Sequence, residues 1–99
     1  MANVVKKHSI SHELAQNMVN AALAKAGQLG VTENVAILDD GGNLKAFARM
    51  DGASVPTIEI AQHKAYTALF GVSTQDFFNF IQGDASLLAG IPALPRVAA

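Results

Sequence analysis

One strand–turn–strand pattern limits what this chain can fold into more than any other feature. Residues 34–39 read as a short buried strand, and residues 44–50 alternate between two faces as a strand does. The intervening residues 40–43 (Asp-Gly-Gly-Asn) predict a tight turn, because glycine supplies the positive φ that such a turn needs. The sequence therefore predicts a β-hairpin. A two-stranded sheet alone is marginal in water, and its free edge attracts another strand.

Helical spacing of apolar residues predicts three helices beside the hairpin. The first spans residues 12–29, with Ser11 as its N-cap and Gly30 as its stop. The second spans residues 57–70 and has a stripe rich in alanine, which allows close approach to a sheet. The third spans residues 74–81. The pattern of one hairpin and three helices predicts a mixed α/β (α+β) fold.

The C-terminal segment, residues 82–99, is too apolar for a solvated tail around Leu87, Leu88, Ile91 and Leu94. Two interpretations stay open: this segment packs on the core, or further strands exist outside these 99 residues. The whole chain is 51% apolar and 15% charged, which excludes a disordered chain and predicts one small domain. Because so few residues are charged, part of the apolar surface is expected to be buried in contacts between subunits.

Charge and residue usage exclude several classes of function. The formal net charge is −1, so no basic field is available to bind a nucleic acid. There is no cysteine, which excludes disulfides, thiolate metal sites and a cysteine nucleophile. No apolar run approaches the roughly 18 residues of a membrane span, and the first residues lack the apolar core of a secretory signal. We therefore expect a cytoplasmic protein.

Several motifs, in one order, resemble those of a known family. Residues 39–42 (Asp-Asp-Gly-Gly) lead to residues 47–53 (Phe-Ala-Arg-Met-Asp-Gly-Ala), and residues 64–68 (Lys-Ala-Tyr-Thr-Ala) follow on the second helix. This arrangement resembles the GlcG/HbpS family, which also includes the C-terminal domain of PduO-type corrinoid adenosyltransferases. The match covers nearly the whole chain.

The resemblance implies a profilin-like α/β/α sandwich on a five-stranded antiparallel sheet, of which this chain holds only the first two strands. Family members continue past the stretch that corresponds to residues 87–94, into more strands and a final helix. Residues 1–99 are thus expected to form a single GlcG/HbpS-like domain that is truncated at its C-terminus or completed by another chain. The resemblance also implies haem binding, symmetric oligomers and a link to operons for small-molecule catabolism, such as glycolate or propanediol use.

Histidines are the candidate ligands for haem iron. His12 lies in the first turn of the first helix, where the helix dipole keeps imidazole neutral, the form that binds iron. Met18 and Val19 on the same helix are candidates to line the apolar slot that haem needs. The alternative is an exposed histidine without a role. His63 lies four residues after Glu59 and is a weaker candidate for a metal ligand, the alternative being a surface pair.

Lys64, Tyr66 and Arg49 form a second group of candidate cofactor-binding residues. Lys64 belongs to the family motif and is a candidate to bind an anion, or its stem simply covers apolar surface. Arg49 can bind a carboxylate or pair with Asp51. Tyr66 is an oxygen ligand for ferric iron or a core side chain.

Three functional hypotheses follow. The first is a haem- or tetrapyrrole-binding accessory protein of small-molecule catabolism. The second is an enzyme or accessory protein that binds a small carboxylate through Lys64 and Arg49. The third is a non-catalytic assembly subunit whose free sheet edge recruits another chain. No residue stands out as catalytic.

The phenylalanines at positions 77, 78 and 80 exceed the needs of one helix face and are interpreted as core and subunit contacts rather than a porphyrin wall.

Overall fold

The first helix, α1, spans His12–Leu29 in a computed structural model that describes residues 3–90 and residue 96. Its N-cap is Ser11, whose hydroxyl oxygen accepts a hydrogen bond from the backbone N–H of Leu14 at 3.1 Å. The helix ends at Gly30, which has a φ of 69°. Both ends were predicted from the sequence, and both predictions are confirmed because the signals are local.

The hairpin consists of β1 (Asn34–Leu38) and β2 (Leu44–Arg49), which pair antiparallel with Val35 opposite Ala48. Each strand ends one residue earlier than the sequence predicted. Asp39 lies in the turn instead, where its N–H donates to the carbonyl oxygen of Asn43 at 2.8 Å. In the part of the chain that the structure describes, these two strands are the whole sheet.

Helix α1 covers one face of the hairpin. Successive side chains of a strand point to opposite faces, so Val35 and Ile37 share a face. They pack with Ala15 and Val19 of α1, both fully buried. Ala46 and Ala48 of β2 and Ile10 from the lead-in complete this core. The small alanines allow α1 to lie close to the sheet.

The second helix, α2 (Thr57–Thr67), lies on the opposite face, against β1. Asn34 fixes its start, because the side-chain amide donates hydrogen bonds to the Thr57 hydroxyl and to the Ser54 carbonyl oxygen. The sequence predicted one helix over 57–70, but the last three residues form a 3₁₀ turn, Ala68–Phe70. Gly71, with a φ of 81°, then ends it. The last turn tightens as helix ends often do.

Two short helices complete the described chain. Helix α3 (Thr74–Ile81) begins at its predicted N-cap, Ser73, and buries Phe77 and Ile81. Helix α4 (Ala85–Gly90) was not predicted, because six small and apolar residues show no helical period. Its Leu87 is half-buried and Leu88 is exposed, while Ile91 and Leu94 lie outside the described residues. The α+β fold class is confirmed: helices cover both faces of a small antiparallel sheet.

Candidate functional site

Helix α2 presents two different stripes of side chains. Residues three, four and seven apart share one face of a helix. One stripe is polar and aromatic and holds Glu59, Gln62, His63 and Tyr66. The other consists mainly of alanines and lies beside β1; it holds Ala61, Lys64 and Ala65, and Ala68 of the 3₁₀ turn continues it. The predicted candidates Lys64 and Tyr66 therefore belong to different surfaces.

Tyr66 packs against the hairpin turn. A Cβ atom on Gly42 would lie 2.9 Å from a carbon of the Tyr66 ring, so only glycine permits this approach. The Arg96 guanidinium lies over the same ring, 4.1 Å from its centroid, and donates a hydrogen bond to the carbonyl oxygen of Gly42. A cation over an aromatic face is attracted by the ring quadrupole. Turn, ring and guanidinium thus form one cluster.

His63 and Arg96 meet in a groove beside this cluster. The groove has a volume of about 300 Å³ and is lined by Glu59, Gln62, His63 and Arg96. We call it the α2–Arg96 groove. His63 is half-buried, and its carbonyl oxygen accepts a hydrogen bond from the hydroxyl of the buried Thr67 at 2.9 Å. The imidazole, the guanidinium and the Glu59 carboxylate therefore line the same space.

The predicted ligand His12 lies elsewhere. It is exposed in the first turn of α1 and lines none of the grooves described here. Val19 is fully buried in the core, so it does not line the apolar slot that the sequence suggested beside His12. Met18, by contrast, is 45% exposed and lines a groove along β1. His12 and Met18 therefore share none of the grooves described here, and a role of His12 as an iron ligand stays a prediction.

Lys64 and Arg49 share none of the grooves found among the described residues. Lys64 is exposed at a groove of about 380 Å³ that is also lined by Glu33 and Asn34. Arg49 pairs with Asn34 in the strand register and is exposed, but it is not among the lining residues. The alternative pairing of Arg49 with Asp51 is not seen either, since the ion pair of the described residues joins Lys7 to Asp40.

The acidic turn residues act structurally. Asp39 Oδ1 accepts from the backbone N–H of Asn43 and of Gly41, both at 2.9 Å, and these bonds lower the pKa of Asp39. The pKa of Asp40 falls to about 2 because the Lys7 ammonium and the Ser9 hydroxyl donate to its carboxylate. A carboxylate that accepts several donors stays ionised and fixes the loop around it.

Two searches of the described residues bear on the class of protein. Within residues 3–90 and Arg96, no three histidine, cysteine or acidic side chains cluster closely enough to hold a metal ion. A haem site needs only one axial side chain, so this finding concerns protein-only metal centres. Over the same residues, none of the helices combines the length and apolarity of a transmembrane segment.

Comparison with known protein families shows the family to which this chain belongs. Residues 10–98 match the family model described as "Haem degrading protein HbpS-like". The chain belongs to the HbpS-like family. The resemblance inferred from the hairpin and α2 motifs is thereby confirmed. The match spans α1, the hairpin and all of α2, so the groove and the Tyr66 cluster lie within the family domain.

Similar proteins include two from enteric bacteria. An uncharacterised 15.0 kDa protein from the dhaT–dhaS intergenic region of Citrobacter freundii is 35% identical over 80 residues, which are 80% of this chain and 56% of that protein. Protein GlcG of Escherichia coli K12 is 41% identical over 63 residues, which are 59% of this chain and 46% of GlcG. This HbpS-like chain thus spans about half the length of these relatives.

A solved structure shows the same fold. The crystal structure of Klebsiella pneumoniae protein ORFY, of the family DUF336, superposes with a TM-score of 0.86 at 27% sequence identity. The superposition covers 97% of this chain and 67% of the Klebsiella chain. The shared fold therefore includes both faces of the hairpin, and a third of the Klebsiella chain has no counterpart here.

Sequence reasoning did not find two residues of these surfaces, Arg96 and Asn34. Arg96 stands alone as a cation in the apolar segment 82–99, and that isolation was the available signal. Asn34 was included in β1 only as its first residue. Its role depends on Thr57 and Ser54, which approach it only in the folded chain.

Proposed function

We propose that this chain is a haem- or tetrapyrrole-binding accessory protein of small-molecule catabolism, and that the α2–Arg96 groove is where the ligand binds. The observation that carries the proposal is that His63 and Arg96 line one groove in a chain of the HbpS-like family. An imidazole nitrogen is a ligand of haem iron, and a guanidinium binds carboxylates such as propionates.

The donor set fits haem. A guanidinium has five N–H donors, and the bond to Gly42 uses one of them. His63 would hold the haem iron, and Arg96 would pair with a propionate. The groove, at about 300 Å³, stands at the lower end of ligand pockets, so the residues described enclose only part of a macrocycle.

Haemin titration of the purified chain tests this function. We expect the Soret band to shift on binding, and His63→Ala to lower the haemin affinity by about tenfold or more, or about 1.4 kcal/mol. Arg96→Gln should weaken binding less, since it removes the propionate partner and keeps the axial ligand. Circular dichroism of each variant separates loss of binding from loss of fold.

His12→Ala is the matched control, because it removes an exposed imidazole that lines none of the grooves. It decides between the site seen in the structure and the site predicted from the sequence. If His12→Ala keeps its haemin affinity and His63→Ala loses it, the result supports binding in the α2–Arg96 groove. The reverse pattern moves the site to α1, and a wild-type chain without any Soret shift rules out haem binding.

The alternative function, binding of a small carboxylate, required Lys64 and Arg49 to face one ligand. They line none of the described grooves together, which favours the haem proposal. Thermal stabilisation by small carboxylic acids and not by haemin would reverse this preference, because a ligand that binds only the folded state raises its stability.

A further inference from the structure

The groove of about 380 Å³ beside Lys64 is lined by two opposite charges that do not pair with one another. We call it the Glu33–Lys64 groove, after the carboxylate and the ammonium that line it. The ion pair found among the described residues joins Lys7 to Asp40, so Glu33 and Lys64 stand too far apart to bind each other directly. Both side chains are exposed, and both charges are therefore open to a third group.

The two walls of the groove belong to different elements. One wall is the face of α2 from Thr57 to Lys64, since residues three, four and seven apart share a helix face. The other wall consists of residues 32–34, at the start of β1. The side-chain amide of Asn34 joins the walls, because it donates a hydrogen bond to the Thr57 hydroxyl. Helical side chains lean toward the N-terminus of their helix, so the stem of Lys64 leans back along the groove.

Asn34 has a hydrogen-bond acceptor that the folded chain does not use. Its side-chain nitrogen donates to Thr57 and Ser54, whereas its Oδ1 is buried and accepts no hydrogen bond from the described residues. A buried acceptor without a donor is costly, and a bound molecule or water commonly supplies the donor. The Glu33 carboxylate on the same wall is a second acceptor. This wall suits an ammonium group, which has three N–H donors and no acceptor.

An apolar surface lies on the α2 wall of the groove. Ile60 and Ala61 both line it, and the Ile60 side chain is 46% exposed. Apolar surface gains free energy when methylene groups cover it and exclude water. The volume stands near the lower end of ligand pockets, so the space suits a small metabolite. The lining therefore fits a short molecule with a cationic end, an apolar stem and an anionic end.

The opposite charges disfavour a ligand of one charge only. A simple carboxylate would pair with Lys64 but would be repelled by Glu33, and a simple amine would meet the reverse situation. The small-carboxylate hypothesis relied on Arg49 as the second charged group. Glu33 lines the groove with Lys64 and Arg49 does not, so the ligand that fits changes from an anion to a zwitterion.

We propose that the Glu33–Lys64 groove is a second binding site, which shares no lining residue with the α2–Arg96 groove, and that it binds a short amino acid as a zwitterion. The ammonium of the ligand lies at the Glu33 carboxylate and supplies a donor to Asn34 Oδ1. Its carboxylate pairs with the Lys64 ammonium, and its methylene groups cover Ile60.

The first test is an NMR titration of the isotope-labelled 99-residue chain without haem. The probes are L-alanine, β-alanine and γ-aminobutyrate, which carry the same two charges at increasing separation. We expect at least one of them to shift the side-chain NH₂ signals of Asn34 and the backbone amide of Ala61 to saturation. Propylamine and butyrate, each with one charge, should bind at least about tenfold more weakly, because each meets a like charge in the groove. Since haem is absent, this result and the haemin titration stand or fall separately.

Two variants assign the charges of the ligand to the two walls. Glu33→Gln should weaken zwitterion binding at least about tenfold and bring butyrate closer to it in affinity, since the repelling carboxylate is gone. Lys64→Gln should weaken the zwitterion to a similar extent and favour propylamine instead. Glu13→Gln and Lys45→Gln are the matched controls, because they remove exposed charges of the same signs that line none of the described grooves. Circular dichroism confirms that each variant is folded.

Three results would overturn the proposal. One is the absence of saturable shifts at Asn34 and Ala61 with all three amino acids at millimolar concentration. Another is equal affinity for a zwitterion and for its analogues of single charge. The third is a pair of groove variants, Glu33→Gln and Lys64→Gln, that bind all the probes as their controls do.

Discussion

The Tyr66 ring lies so close to Gly42 in the hairpin turn that a residue with a side chain could not replace this glycine without a clash. The glycine is buried, has a φ of 81°, and a Cβ atom there would meet two Tyr66 ring carbons and Leu69 within 3.3 Å. Gly71 has the same φ, but a Cβ atom there would meet nothing within 4 Å. A substitution at Gly71 therefore tests backbone strain alone, whereas a substitution at Gly42 adds a steric clash to the same strain.

We expect Gly42→Ala to destabilise the fold more than Gly71→Ala. Both variants force alanine into a left-handed conformation, at about 1–2 kcal/mol. Gly42→Ala also displaces the Tyr66 ring, which adds about 1 kcal/mol or more. Urea denaturation measures both free energies of unfolding. Equal losses, or a gap that persists when Tyr66 is also replaced by alanine, would show that the ring contact does not matter.

The lead-in to α1 is held to the hairpin turn by one carboxylate. Lys7 Nζ lies 2.8 Å from Asp40 Oδ2, and the Ser9 hydroxyl donates to Asp40 Oδ1 at 2.6 Å. The hydrogen bond from Lys7, followed by that from Ser9, lowers the pKa of Asp40 from 3.8 to about 2. All three side chains are exposed, so salt screens the ion pair.

This pKa shift fixes the direction of a pH effect. The folded pKa is depressed, so the stabilising contribution is present above 3.8 and is lost as the pH falls through about 2. We expect Asp40→Asn to flatten the pH dependence of the free energy of unfolding over that interval. Urea denaturation across a pH series measures it, with Asp51→Asn as the matched exposed control. The stabilising role of the Lys7 and Ser9 contacts to Asp40 would be contradicted by an equally flat pH dependence in both variants. It would also be contradicted by an Asp40 carboxyl that titrates at its ordinary value by NMR.

Elements whose signals are local could be predicted from the sequence. Ser11 and Ser73 begin helices because a serine hydroxyl satisfies an N–H only three residues away, and Gly30 ends α1 through its own backbone conformation. The end of α2 and the existence of α4 were missed. Asp84 does cap α4, since its Oδ1 accepts from the backbone N–H of Ser86 and of Leu87, but the six residues of this helix are too few to show a period.

Contacts between distant elements could not be predicted in the same way. The sequence favours His12 over His63 as an iron ligand, whereas the packing of α2 places His63, and not His12, at a groove. Arg96 reaches the carbonyl of Gly42 across 54 positions of sequence, a contact that no spacing rule anticipates. The fold class follows from local patterns, whereas the candidate site depends on which helix face meets which turn.

The molecule as a whole is flat and exposes much surface. Its principal extents are 42 × 40 × 19 Å and its radius of gyration is 15.8 Å, whereas a compact domain of this length has about 13 Å. The accessible surface is 6962 Å², against about 5,400 Å² for a compact protein of this mass. The excess resembles the area of one standard protein interface, as expected for a sheet with an uncovered edge.

This excess surface has a measurable consequence. The slope of the free energy of unfolding against urea, the m value, scales with the surface that unfolding newly exposes. A chain that already exposes more surface when folded has less left to expose, so we expect an m value about a sixth below that of a compact domain of equal length. Urea denaturation followed by circular dichroism and fluorescence gives the value and checks two-state behaviour. Full-length Klebsiella ORFY, which has the additional third of the chain, should show a higher m value per residue. An m value per residue equal in both proteins would mean that the surface exposed in this chain is covered in solution without the additional third of the chain.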